Sequence, residues 1–211
     1  HKGSGLPGCC EPFSWSEDFE KPGGDILSGG GYPDWTFENG GDLLAGTGWS
    51  VPGPDPFGGL FPSPDYRSHA GAQALYYGKT FSFADLLAGT PASTPSYKPS
   101  DSGGLGLPPG EPPAAFAEGP VVALPEGQFP EVRFWIYLDV EPDAARDLVS
   151  VSVVDPSGPT LVWDKSDMDA QSYKEWVEVR VDVSKWAGRS VSLRFDYDAV
   201  GELIALPADH A

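Results

Sequence analysis

The residues in this chain best suited to chemistry are its carboxylates. Asp18 and Glu20 stand two apart, as do Asp139 and Glu141, and again Asp196 and Asp198, with Asp147 nearby in sequence. On an extended strand that spacing puts both members of a pair on one face. Calcium takes roughly six to eight oxygen ligands, and strand-end carboxylates gathered by a sandwich can supply several of them. A structural calcium ion held by some of these residues is therefore one expectation. The other is that the same residues are solvated strand-face and turn positions. Paired carboxylates also serve glycosidases, but among 31 acidic residues such pairs arise by composition alone. The histidines are His1, His69 and His210. His69, just before Ala70-Gly71, reads as a structural or capping residue. No Gly-Xaa-Ser-Xaa-Gly elbow, phosphate loop or His/Cys zinc spacing occurs. The expectation is a protein that is not an enzyme.

Aromatic residues offer a second kind of site. Trp135 and Tyr137 alternate with Phe134 and Ile136, so they lie on the face opposite the apolar one, with Tyr76 and Tyr77 as further neighbours. Aromatic rings exposed on a sheet stack against sugar rings, which makes Trp135 and Tyr137 candidate glycan-stacking residues. Pro-rich loops laid over the same face would turn them into a second layer of core.

The elements that position these residues are strands. Val132, Phe134, Ile136 and Leu138 alternate with polar or amphipathic residues. So do Val149, Val151 and Val153, then Val177, Val179, Val181 and Val183, then Val191, Leu193, Phe195 and Tyr197. A period of two with one apolar face predicts antiparallel sheets packed on a shared core. Pro156-Ser157-Gly158 predicts a hairpin turn, with 160–163 as its returning strand. Weaker strands are expected at 13–20, 34–38, 48–51, 72–81 and 121–124. No helical periodicity of useful length is present, so the predicted class is all-β.

Composition bounds the rest. Of 27 Gly and 23 Pro, 24 and 19 fall before residue 131, so turns and irregular backbone concentrate there. The expected layout is an N-terminal arm over 1–12 and one domain over 13–211, with long loops at about 52–64 and 91–120. A net charge of −18 repels phosphate backbones and anionic lipid, which excludes nucleic acid as a partner. No apolar run is long enough for membrane insertion. The two cysteines, Cys9 and Cys10, are adjacent. They can close a strained ring, bridge to another chain or stay reduced, and in no case staple the domain internally. An opening at His1 fits a signal peptide already removed, and the expected location is secreted and extracellular.

Several segments, taken in order, resemble the MAM-like jelly-roll domains of bacterial extracellular proteins. They are Glu17-Asp18-Phe19-Glu20, Trp35, Gly48-Trp49-Ser50-Val51, Ser68-His69-Ala70-Gly71 and Ala74-Leu75-Tyr76-Tyr77-Gly78. Further on come the run from Phe134 to Glu141, Asp147-Leu148-Val149-Ser150-Val151, Leu161-Val162-Trp163-Asp164, Trp176 through Val183, Trp186-Ala187-Gly188, and Val191 through Asp198. The resemblance spans most of 13–198. It implies a two-sheet jelly roll used for adhesion, glycan contact or architecture in secreted proteins. The chain departs from the group at 201–207, where a final strand with an acidic pair is usual. That segment is either a divergent last strand or leaves a vacant sheet edge, which is a template for another chain. The functional expectation is a structural or adhesive protein that assembles with copies of itself through edge-strand and arm contacts. The alternative is a carbohydrate-binding module with a structural calcium ion.

Overall fold

The structure, a computed structural model, describes residues 13–20, 32–39, 47–51, 69–71, 74–79, 115–140 and 147–198. It is all-β, as the alternation predicts. Among the described residues ten strands run in chain order: β1 (Thr36–Asn39), β2 (Thr47–Ser50), β3 (Tyr76–Lys79), β4 (Ala115–Glu118), β5 (Val122–Ala123), β6 (Glu131–Tyr137), β7 (Leu148–Asp155), β8 (Gly158–Asp164), β9 (Trp176–Asp182) and β10 (Ser190–Asp198). Every pairing between them is antiparallel. The large sheet has the order β1-β4-β10-β7-β8, with β5 also bonded to β10, while β2–β3 and β6–β9 form separate pairs. Single 3₁₀ turns at Lys165–Asp167, Ala170–Ser172 and Ser184–Trp186 are the helical pieces among the described residues.

The apolar faces meet as two layers. From β10 and β7 come Val191, Phe195, Tyr197, Val149, Val151 and Val153; from β6 and β9 come Phe134, Val179 and Val181. Phe134 stands edge-on to Phe195 at 5.5 Å and to Trp163 at 6.0 Å, joining the β6–β9 pair to the large sheet. Trp49 and Tyr77 do the same for β2–β3, at 6.4 Å from Phe195 and 3.9 Å from Tyr197. Trp49 carries its polar edge inward as well, and its Nε1–H donates to the Ala115 carbonyl at 3.1 Å.

β4 departs from expectation. Residues 115–118 fall in the loop placed at about 91–120, yet they form a central strand between β1 and β10. Ala115 and Ala117 are small because of what flanks them. Ala117 sits in register between Phe37 of β1 and Phe195 of β10 and is 0% exposed. A large side chain at the centre would have no volume left to fill. Gly119 follows for a related reason, since a Cβ there would come within 3.1 Å of the Trp35 ring.

Residues 13–20, expected as a strand, join no sheet. Phe19 takes a left-handed φ of 60°, and the Glu17 carboxylate accepts its N–H at 3.0 Å. Local side-chain bonds have replaced the ladder there. The hairpin at Pro156-Ser157-Gly158 forms as predicted: Asp155 accepts the Ser157 N–H at 2.8 Å, and Gly158 supplies a φ of 113° that a side chain would resist. The arm at 1–12, the loop at 52–64, most of that at 91–120, the segment 201–207, Glu141, Cys9 and Cys10 lie outside the described residues.

Candidate functional site

The outer face of the β6–β9 pair gathers outward-facing aromatic and charged groups. Its register places Tyr137 opposite Trp176, Trp135 opposite Glu178, Arg133 opposite Arg180 and Glu131 opposite Asp182. The face thus has an aromatic end and a charged end. At the aromatic end, Trp135 is 46% exposed. His69 lies flat on its ring, with centroids 3.9 Å apart and planes 11° apart. Trp176 meets His69 edge-on at 5.5 Å and tilts against Tyr137 at 5.6 Å. At the charged end, Arg180 bonds Glu178 at 2.6 Å, and Arg133 donates to Glu131. Glu178 raises the Arg180 pKa and thereby fixes the charge on that guanidinium.

The sequence places Trp135 and Tyr137 on the face opposite the core, as the structure does, but it misses Trp176 and does not connect His69, read as a structural or capping residue, with that face. Trp176 closes its strand pair against Tyr137, and cross-strand register carries that information. The stacking of His69 on Trp135 joins segments far apart in the chain, and no local signal encodes it. Tyr77, named as a neighbour of the platform, turns the other way and packs on Tyr197 and Trp49 in the core.

The candidate calcium ligands are dispersed. Asp18 accepts the Glu20 N–H at 3.1 Å, and the Glu20 side chain lies against Gly71. Asp139 is held by Lys174 at 3.0 Å, and Asp196 by Arg194 at 2.7 Å. Asp147 accepts the Tyr197 hydroxyl at 2.7 Å. Asp198, two residues along β10 from Asp196, is half-buried, and burial raises its pKa. Asp147 and Asp198 both bear on one group, the Tyr77 hydroxyl. Burial first, then the fields of Asp147 and Asp198, push its pKa up to about 12. Among the described residues no three acidic, histidine or cysteine side chains converge in a way that could hold a metal ion. Glu141, the remaining candidate ligand, lies outside the described residues.

A second surface lies beside the first. A groove of about 540 Å³ runs along β9, with Trp163 and Met168 on its far side. It separates the edge of β9 from the edge of β8, which are the outer strands of the small and large sheets on that side.

Among the described residues no helix is long and apolar enough to cross a membrane. No protein-family model matches the chain, and no curated protein matches it.

Proposed function

We propose that this chain is a non-enzymatic, extracellular, adhesive or structural protein of the jelly-roll kind that associates with copies of itself by strand addition. The observation that carries the reading is the groove between the edges of β8 and β9, neither of which pairs with a further strand among the described residues. An uncovered strand edge presents a row of backbone donors and acceptors, which is a template for another strand. Neither edge carries the lysines that usually blunt such templates, although Pro159 interrupts the start of β8. Electron microscopy of the isolated protein tests the reading. Ordered oligomers, filaments or sheets are expected, and isolated particles of one chain's 22.4 kDa at all concentrations would overturn it.

A second reading, carbohydrate binding, is favoured by the four-ring cluster of His69, Trp135, Tyr137 and Trp176. An exposed indole flanked by Arg133 and Glu178 offers a stacking face and hydroxyl-bonding groups in one place. Screening against immobilised glycans tests it. Binding to a defined sugar that Trp135→Ala weakens roughly tenfold or more is the expected result.

A further inference from the structure

β9 has one edge on β6 and the other on the groove. The groove is lined by six consecutive residues of β9, Val177 through Asp182. Successive strand side chains point to opposite faces, so a groove that touches six in a row runs along the backbone edge itself. The backbone phase follows from one bond: the Val183 N–H donates to the Pro130 carbonyl at 3.1 Å. Antiparallel ladders alternate between bonded and non-bonded pairs. Val181 opposite Val132 and Val179 opposite Phe134 therefore turn their backbone groups toward β6. Glu178 and Arg180 turn theirs into the groove, where no group among the described residues bonds to them.

The occupant is written in the strand. β9 reads Trp-Val-Glu-Val-Arg-Val-Asp. Laid antiparallel on itself about Val179, it sets Glu178 opposite Arg180 twice and Val177 opposite Val181 twice. The valines stay on the core-facing side and the charges on the outer side. Within one chain Arg180 bonds its own Glu178 along the strand at 2.6 Å and faces Arg133, a like charge directly across the pair. A second copy brings Glu178 to the other flank of that same Arg180, and its own Arg180 to Glu178. An unrelated extended peptide would satisfy the backbone but not this charge register.

We infer that β9 pairs antiparallel with β9 of a second copy about a two-fold axis at Val179, making a continuous β6–β9–β9–β6 sheet across the dimer. The inference rests on the self-association reading and names its contact. The interface is isologous: each copy offers the same residues to the other.

Charge reversal with rescue tests it. Sedimentation of the full chain, kept reduced so that Cys9 and Cys10 cannot bridge copies, is compared for wild type, Glu178→Arg, Arg180→Glu and the double swap. Each single reversal sets like charges opposite one another twice, and is expected to weaken dimerisation roughly 10- to 100-fold. The double swap restores the register and is expected to return affinity to within about threefold of wild type. Net charge alone predicts otherwise. From −18, Glu178→Arg adds two charges and gives −16, which by general repulsion would strengthen association. A dimer indifferent to both reversals, or one the swap does not rescue, overturns the β9 contact while leaving self-association standing. A wild-type chain that stays monomeric at every concentration overturns both. Unchanged thermal unfolding of the variants at dilutions where every chain is monomeric confirms that the reversals act on the contact and not on the fold.

Discussion

At the scale of single residues, the chain puts its carboxylates to structural use. Asp147 holds the Tyr197 hydroxyl, Asp139 holds Lys174, and Asp196 holds Arg194. Sequence spacing showed these acids on strand faces or at turns, but not which cation or hydroxyl each would find, because Lys174 and Tyr197 lie far along the chain from Asp139 and Asp147. Tyr77 makes the consequence measurable. Its hydroxyl pKa is pushed up to about 12 by burial and by Asp147 and Asp198. Below pH ~10 the phenol is neutral in both folded and unfolded chains and costs nothing. Between that value and about 12 the unfolded chain releases a proton that the folded chain keeps, so stability falls as pH rises through that window. Denaturant unfolding at neutral and alkaline pH should show this loss. Tyr77→Phe should shrink it by roughly 1–2 kcal/mol, while an equal alkaline loss in the variant would contradict the assignment.

At the scale of elements, strict alternation made β6, β7, β9 and β10 legible from sequence, since each buries one face against the opposite sheet. β4 was not legible. Its four residues follow a Pro-rich stretch, and two of its side chains are alanines whose value appears only between Phe37 and Phe195. The same packing makes a prediction. Ala117→Val inserts two methyl groups where no space remains and should cost about 1–3 kcal/mol. Val151→Ala, in β7 of the same sheet, leaves a void instead and should cost about 2–3 kcal/mol. Chemical denaturation reads both, and a neutral Ala117→Val would mean the β1–β4–β10 register is wrong. Of the candidate platform, the alternation showed that Trp135 and Tyr137 face outward. It could not show His69 stacked on Trp135, a contact between residues 66 positions apart that depends on the tertiary fold.

At the scale of the whole molecule, self-association must overcome mutual repulsion, because each copy carries −18. Screening shortens that repulsion to within about 10 Å at ~0.1 M salt. Dimerisation should therefore tighten as salt rises from low millimolar toward physiological levels, before high salt begins to weaken the short-range Glu178–Arg180 pairs. Steady weakening across the whole range would instead point to attraction between unlike surfaces. A β9–β9 contact closes at two copies, so growth into a polymer needs a second contact, and the edge of β8 across the groove, unpaired among the described residues, offers one. The most direct test of strand addition is amide hydrogen exchange along β9, followed as protein concentration is raised. Val177, Val179 and Val181 should be protected throughout by β6. Glu178 and Arg180 should exchange quickly when dilute and become protected as copies pair. Protection of Glu178 and Arg180 that does not change with concentration would contradict the account.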